Sequence, residues 1–237
     1  MSQEKYPSPA AAVGGEVRRR RLPEMEGRMA RWYARNRGSA SQIAECRRQA
    51  ARLTAALPAG AAVLEVAFGP GYQAVEMARP RSLRVTGLDI SRTMVAIATD
   101  TARRAGVDVD FRQGDVSAMA LEADAFDLVV CQAAFKNFKR PADAINEMHR
   151  VLRPGGAAVI QDMNRDASNA DIAREVRGMG LKPISAFMTR LILGTMLRRR
   201  AYSPARFERL VAGTRFGTCE VTTEGIGLEV RLTKAAA

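Results

Sequence analysis

The chain has 237 residues, of which 47% are hydrophobic and 26% are charged, an ordinary composition for a globular protein. No apolar run approaches the roughly 18 to 20 residues of a membrane-spanning helix, and the first residues lack the layout of a secretory signal. The three cysteines (Cys46, Cys131 and Cys219) lie far apart and show no metal-ligand spacing. We therefore expect a reduced, cytoplasmic protein without a metal centre.

The formal net charge of +12 includes two arginine runs, Arg18–Arg21 and Arg198–Arg200. Such an excess is consistent with a nucleic-acid surface or an anionic ligand, and equally with charges spread over solvated helix faces. Few aromatic residues stand between the basic ones, although single-stranded nucleic acids usually stack on such residues. The sequence therefore favours solvated faces and disfavours a nucleic-acid partner.

The first 58 residues carry two different patterns. Residues 1–22 are rich in Pro, Ser, Ala and Gly and end in the first arginine run, which predicts a flexible basic segment. From Pro23 the pattern becomes helical, with proline at a plausible first helical position. Ser39 or Ser41 could cap a second helix, in which apolar residues recur at helical spacing as far as Leu57. Residues 23–58 are therefore predicted to form a helical cap.

Strands and helices alternate in the rest of the chain. The predicted strands cover 61–67, 83–88, 107–112, 125–131 and 157–163, with helices ending at 79 and spanning 91–104 and 142–152. Helices of this length between strands imply parallel pairing with right-handed crossovers. Three helical stretches at about 168–212 then precede two alternating runs around Glu224-Gly225, which predict a hairpin. Residues 59–237 are therefore predicted to form one α/β domain with a helical insertion.

Three features fall just after successive predicted strands, where an open parallel sheet binds its ligands. The first strand is followed by the turn Phe68-Gly69-Pro70-Gly71, whose glycines allow unusual backbone angles and close approach of a ligand. Asp89 follows the second strand and could accept both hydroxyls of a ribose, and Asp115 follows the third and could accept from an exocyclic amine. Asp89 could instead cap a helix, and Asp115 could be a turn residue. Gly69-Pro70-Gly71 with Ala74 also satisfies a dinucleotide fingerprint, so this turn alone leaves NAD open.

Taken as an ordered set, the motifs resemble those of the class I S-adenosylmethionine-dependent methyltransferases of small-molecule type. The segments that carry the resemblance are VLEVAFGPGY, VTGLDIS, the GD of FRQGD, AFDLVVCQAAFKNF and HRVLRPGGAAVIQDM, which cover residues 61–163. The resemblance implies a Rossmann-like α/β fold with a mostly parallel seven-stranded sheet, a C-terminal antiparallel hairpin and an N-terminal helical cap. It also implies S-adenosyl-L-methionine as the cofactor.

The resemblance further implies roles for individual residues. Glu65 matches the acidic residue that organises the turn and the amino end of the methionine, Asp89 the ribose-binding acid, and Asp115 the adenine contact. Ala67 stands where a glycine is usual, and Pro70 stiffens the turn. The predicted cofactor-binding residues are Glu65, Ala67, Gly69, Gly71, Asp89, Ile90, Asp115, Val116 and Gln132.

Methyl transfer from a sulfonium needs no acid or base, because alignment alone can supply about 7 to 11 kcal/mol. The single histidine, His149, lies among apolar helical positions and is predicted to be a packing or surface residue. The residues predicted to act on the reacting groups are Asn137, Asp162 and Tyr33. The predicted substrate contacts are Trp32, Phe135, Lys136 and Met188. For these four the alternatives are packing of the apolar side chains and solvent for the lysine.

The sequence therefore predicts a methyltransferase of secondary metabolism acting on a small organic molecule, with no membrane partner and with a homodimer left open. One alternative is cyclisation of the cofactor to a small cyclic amino acid with release of methylthioadenosine. The others are an RNA-modifying or RNA-binding protein and an NAD enzyme.

Overall fold

A computed structural model describes residues 25–80 and 82–236, so the predicted flexible segment 1–22 lies outside the described residues. The described residues form seven strands in one sheet with the order β3-β2-β1-β4-β5-β7-β6. Their bounds are β1 Ala62–Val66, β2 Arg84–Asp89, β3 Asp110–Gln113, β4 Phe126–Gln132, β5 Leu152–Met163, β6 Glu220–Glu224 and β7 Gly227–Thr233. The first five strands pair in parallel, and β7 pairs antiparallel with both β5 and β6. The predicted mostly parallel, seven-stranded fold with a terminal hairpin is confirmed.

Helices precede the sheet, connect its strands and fill the segment before the hairpin. Their bounds are α1 Gly27–Arg37, α2 Ala40–Thr54, α3 Tyr72–Ala78, α4 Arg92–Ala105, α5 Pro141–Val151, α6 Asn169–Gly178, α7 Pro183–Ile192, α8 Arg198–Arg200 and α9 Pro204–Ala212. A π-helical turn, Leu193–Leu197, joins α7 to α8. Ser39 caps α2 as predicted, because its hydroxyl accepts a hydrogen bond from the Gln42 N–H.

The core lies on both faces of the sheet, since successive residues of a strand point to opposite sides. Val63 of β1 packs with Ala50, Leu53 and residues of α3, and the next residue, Leu64, packs on the other face. That second face is covered by α5 and α9, which contribute buried side chains such as Met148. Both faces of β1 and β4 are therefore dry, and the polar edge at their carboxyl ends remains available.

Three predicted boundaries differ from those of the described elements. The first helix in the described residues begins at Gly27, because Glu26 is extended and its carboxylate accepts from the start of α4, and the predicted start at Pro23 lies outside the described residues. The fifth strand begins at Leu152, since the Arg153-Pro-Gly-Gly156 segment continues the strand through an irregular pairing. The third strand is only four residues long. In the part of the chain that the structure describes, no helix is long and apolar enough to cross a membrane.

Candidate functional site

The turn after β1 holds three residues in the left-handed backbone region. Ala67, Gly69 and Gly71 have φ values of 53°, 56° and 77°. This conformation is accessible to glycine, but for alanine it costs roughly 1–2 kcal/mol. The Ala67 N–H donates to the Leu88 carbonyl at 2.7 Å, which ties the turn to β2. A strained non-glycine residue at this point indicates a backbone path that the surroundings impose.

The two turn glycines face different surroundings. A methyl group added at Gly71 would come within 2.6 Å of Ala98 Cβ and 2.9 Å of Phe111 Cζ, so this glycine is required for packing. A methyl group at Gly69 would meet only the Tyr33 ring, at 3.9 Å. Gly69 therefore faces the open side of the turn, whereas Gly71 allows α4 and β3 to pack closely behind it.

Asp89 connects the glycine turn to the next helix. Its Oδ2 accepts a hydrogen bond from the Gly69 N–H at 3.0 Å, and its Oδ1 accepts from the Ser91 N–H at 2.9 Å. Ser91 is the N-cap of α4, so the alternative role of Asp89 at a helix start is also present. Burial raises the pKa of Asp89. Each carboxylate oxygen can accept a second bond, which leaves capacity for a ligand.

Glu65 is the most perturbed acid of this edge. Its side chain is 2% exposed, and burial raises its pKa from 4.5 to about 8, although a bond from the Ala74 N–H opposes the shift. Its Oε2 has no hydrogen-bond partner among the described residues, and neither has either amide atom of the buried Gln73. An unpaired buried acceptor is costly, so a carboxylate here fits a group that brings a positive charge and donors.

The remaining predicted cofactor residues flank these two acids. Gly114 donates its N–H to the Asp89 carbonyl at 2.9 Å, which places Asp115 beside the β2 end. Asp115 Oδ1 accepts from the Ser117 N–H at 2.8 Å and Oδ2 from Arg140 at 3.2 Å. Burial alone would raise the pKa of Asp115, but these two partners lower it. Ile90 is an exposed apolar side chain, and Val116 is half-buried.

The segment before α1 closes over the start of α4. Glu26 accepts hydrogen bonds from the Arg92 N–H at 2.8 Å and the Thr93 N–H at 3.1 Å, and the Met25 carbonyl accepts from Ser91 at 2.7 Å. Sequence reasoning missed Glu26, because its partners lie 66 and 67 residues away. These bonds place α1 so that the half-buried Tyr33 lies against the glycine turn.

The ends of β4 and β5 are joined by a buried ion pair. Lys136 Nζ lies 2.7 Å from Asp162 Oδ1, and the two side chains are only 9% and 5% exposed. Asp162 Oδ2 also accepts from the Lys136 N–H at 2.9 Å, and Lys136 Nζ donates to the Ala133 carbonyl at 2.5 Å. Ala133 has φ 54°, the second strained alanine of this edge.

This pair and its neighbours show the surroundings of several residues predicted for the substrate side. Lys136 is buried and bound to Asp162, so neither a solvent-exposed lysine nor a free Asp162 base describes the site. Phe135 is fully buried against Tyr202 and Phe207, which agrees with the packing alternative, and its predicted contact with a substrate stays a prediction. Asn137 is exposed.

Three other predicted residues have different surroundings. Gln132 donates from its amide to Gln49 of α2, a partner that sequence reasoning missed. Trp32 is 62% exposed on α1, and Met188 lies on the exposed side of α7. Their roles in binding stay predictions.

His149 lies outside this edge of the sheet. Its ring packs edge-on against Phe216, with centroids 4.8 Å apart, and burial lowers its pKa. The predicted packing role agrees with this position. Among the described residues, no cluster of His, Cys, Asp or Glu could hold a metal ion.

A cavity of about 410 Å³ lies at the start of α2, beside α6 and the hairpin turn. It is lined by Ser41, Gln42, Glu45, Asp171, Arg174, Glu175, Gly178, Met179 and Gly225. Cys46 is the residue after Glu45. Burial is the main cause that raises the pKa of its thiol, and the nearby carboxylate of Glu65 raises it further.

The sheet order, the left-handed glycine turn and the acids at successive strand ends are those of a Rossmann-like α/β fold, in which ligands bind at the carboxyl edge of the strands. Residues 64–160 match the family model described as a methyltransferase domain. This match covers the segments on which the motifs predicted a class I S-adenosylmethionine-dependent methyltransferase, and it agrees with S-adenosyl-L-methionine as the predicted cofactor. The match favours S-adenosyl-L-methionine over the NAD alternative.

Two curated relatives share this region. The chain is 36% identical over 109 residues to a ubiquinone biosynthesis O-methyltransferase of Pseudomonas paraeruginosa, covering 46% of this chain and 47% of that protein. It is 37% identical over 98 residues to a demethylmenaquinone methyltransferase of Chlorobaculum parvum, covering 41% and 39%. The chain therefore matches less than half the length of these relatives.

A solved structure shows the same fold over most of the chain. A protein of Methanococcus maripaludis, assigned as an S-adenosyl-L-methionine-dependent methyltransferase, has a TM-score of 0.69 at 18% identity. The similarity covers 92% of this chain and 98% of that chain. It therefore includes much of the helical insertion before the hairpin.

Proposed function

We propose that the chain is a cytoplasmic enzyme of secondary metabolism that methylates a small organic acceptor by in-line transfer, driven by positioning. The observation that carries this proposal is the unpaired, buried carboxylate oxygen of Glu65 beside a left-handed glycine turn that Asp89 holds in place. S-adenosyl-L-methionine supplies an electrophilic methyl group, so the protein has only to bind, orient and exclude water.

In this proposal the residues of the sheet edge divide the cofactor between them. Glu65 accepts from the positively charged amino group, which supplies the missing donor for Oε2. Asp89 accepts from the ribose with the capacity that its two backbone bonds leave. Ile90 and Val116 give apolar surface to the base, and Asp115 accepts from its exocyclic amine. Tyr33 closes the open side of the turn at Gly69.

A small acceptor is supported by the cavity at the start of α2. Its volume of about 410 Å³ lies in the range of small-molecule sites, which span about 300–1,000 Å³. Two relatives act in ubiquinone and menaquinone biosynthesis by name, but the matched residues cover the cofactor half of the domain. Residues 168–212 and the hairpin, which we assign to the acceptor side, lie outside the residues that match the family model. The proposal therefore names the acceptor only as a small organic molecule.

Catalysis by positioning is supported by the state of the charged groups near the strand ends. Asp162 has its two oxygens bound to Lys136 and to the Met163 N–H, and is therefore occupied as an acceptor. The pair fixes the ends of β4 and β5 and so shapes the wall on which an acceptor would rest. His149 lies on α5 with its ring against Phe216.

The first test is cofactor binding by calorimetry with S-adenosylhomocysteine. Asp89→Ala should weaken binding by about 10-fold or more, because a hydrogen bond to a charged group is worth roughly 1.5–3 kcal/mol. Asp143→Ala, an exposed aspartate of α5, is the matched control and should bind like the parent. Equal affinity in parent and Asp89→Ala would remove the ribose assignment.

The second test identifies the reaction by its products. The purified chain is incubated with S-adenosyl-L-methionine, with and without a panel of small phenols, amines and carboxylic acids. S-adenosylhomocysteine formed only with an acceptor supports methyl transfer. Methylthioadenosine formed without any acceptor would replace this proposal by cyclisation of the cofactor.

A further inference from the structure

Helix α7 and the π-helical turn after it present large apolar side chains to solvent. The exposed residues include Ile184 at 81%, Phe187 at 68%, and Met188, Leu191 and Met196 at about half exposure. Among the described residues of α7 none is buried. This concentration is unusual, because exposed apolar residues on a folded protein are normally scattered singly.

The exposed apolar residues form one face of the helix. Ile184, Phe187, Met188 and Leu191 follow the spacing of three and four residues that places side chains on the same side. Leu193 and Leu197 of the following turn pack instead against the small core of Met163, Ile172 and Ala201. The turn that follows α7 is therefore packed on the protein, whereas no side chain of α7 itself is buried. We call the four residues 184, 187, 188 and 191 the outer face.

The sequence around the outer face carries only positive charge. Between Glu175 and Glu208 there is no acidic residue, and there are seven basic ones. These are Arg177, Lys182, Arg190, Arg198, Arg199, Arg200 and Arg206. Arg177, Lys182, Arg190 and Arg199 are exposed. An apolar helix face in a segment whose charged residues are all cationic is the pattern of a helix that lies in a membrane interface.

We propose that the outer face inserts into the surface of an anionic phospholipid bilayer, with α7 parallel to the membrane plane. The apolar side chains would enter the boundary between headgroups and acyl chains, and the basic residues would contact anionic headgroups. The sequence analysis expected no membrane partner. The finding that no described helix can span a membrane does not bear on a helix that lies on its surface.

A second copy of the chain is a poorer occupant of the outer face. In a two-fold symmetric dimer the same patch meets itself, so the cationic surrounds of the two copies would be brought together. Like charges placed opposite each other oppose association, whereas an anionic surface neutralises them. Charge complementarity therefore selects a lipid surface, and this inference stands independently of the proposed methyl transfer.

Vesicle sedimentation of the full chain tests the proposal without cofactor or acceptor. The chain should bind vesicles with about 30% phosphatidylglycerol more tightly than pure phosphatidylcholine vesicles, and about 1 M salt should weaken binding through screening. Phe187→Ser/Leu191→Ser should lower partitioning about tenfold or more, because two large apolar side chains leave the bilayer. Arg190→Gln/Arg199→Gln should lower it by about fivefold per charge.

Matched controls separate the outer face from general charge and hydrophobicity. Met29→Ser removes an apolar side chain of similar exposure from α1, and Arg28→Gln/Arg35→Gln removes two charges from the same helix. Both controls should bind vesicles like the parent, with unchanged circular dichroism in all variants. Parent-like binding by Phe187→Ser/Leu191→Ser would overturn the proposal. A concentration-dependent dimer in sedimentation velocity that this variant abolishes would also overturn it, in favour of a second copy.

Discussion

The raised pKa of Glu65 leads to a quantitative prediction that couples folding, pH and cofactor binding. In the folded chain the carboxyl titrates at about 8, against 4.5 ordinarily, so at neutral pH it is mainly protonated before a ligand binds. Each pKa unit corresponds to about 1.4 kcal/mol, which gives a total of about 5 kcal/mol. The stabilising proton is fully held below pH 4.5. This stability is lost as the pH rises through the folded pKa of about 8.

Glu65→Gln removes this titration. At pH 8 we expect the variant to unfold at a higher urea concentration than the parent, with a free energy of unfolding greater by up to a few kcal/mol. Near pH 4.5 the two free energies of unfolding should be nearly equal. Binding a positively charged amino group requires the ionised carboxylate. S-adenosylhomocysteine should therefore release close to one proton between about pH 6 and 7, and its affinity should rise with pH up to about 8. Glu65→Gln should bind more weakly and release none.

Calorimetry in two buffers of different ionisation enthalpy measures the released proton directly. Glu122→Gln, an exposed acid after β3, is the matched control and should behave like the parent. Asp89→Asn is measured in parallel, because burial also raises the pKa of Asp89. If the affinity of the parent for S-adenosylhomocysteine did not change with pH and no proton were released, the assignment of Glu65 to the amino group would be refuted. A Glu65→Gln variant that is less stable than the parent at pH 8 would refute the titration.

Three further predictions concern stability in urea or heat. Gly71→Ala should cost roughly 2–3 kcal/mol, because the methyl group clashes with α4, whereas Gly69→Ala should cost only about 1 kcal/mol from its positive φ; equal losses would contradict the packing role. Ala67→Gly should stabilise by roughly 0.5–1 kcal/mol through relief of its left-handed φ, and a loss would show that its methyl group packs usefully. Lys136→Met should cost about 3–5 kcal/mol by leaving Asp162 buried without its cation, and Lys136→Met/Asp162→Leu should recover most of it; no recovery would argue against the pair.

The fold could be predicted from local patterns because its strands are short apolar runs separated by helices with their own periodicity. The cofactor edge followed from one geometric rule, that parallel strands bring their carboxyl ends to one side. Asp89 ends a strand and Asp115 follows one, so their approximate neighbourhood was set by the strand assignment alone, whereas Glu65 lies within β1 and was predicted from the family resemblance. The contact of Asp89 with Gly69 in the structure agrees with that reasoning.

The acceptor side could not be predicted in the same way, because its contacts join distant segments. Lys136 and Asp162 are 26 residues apart, and the sequence shows neither that both are buried nor that they pair. Phe135 stands in a polar-looking loop, yet its ring fills the core between α9 and the sheet. Periodicity shows that a residue is apolar, but the side to which a short 3₁₀ turn directs it depends on tertiary packing.

The two alanines with positive φ lie at the carboxyl edge of the sheet, where the proposed cofactor turn and acceptor side meet. Ala67 follows β1 and Ala133 follows β4, and these strands are neighbours with Val66 opposite Cys131. A left-handed alanine persists only where its surroundings fix it. Ala67 is fixed by its bond to β2, and Ala133 by its bond to Gln161 and by the lysine of the buried pair. The strain therefore lies at the point where two adjacent strands end, between the proposed cofactor turn and the wall of the acceptor side. A change that removes either set of hydrogen bonds should alter both the cofactor turn and the acceptor side, because the same rigid edge positions them.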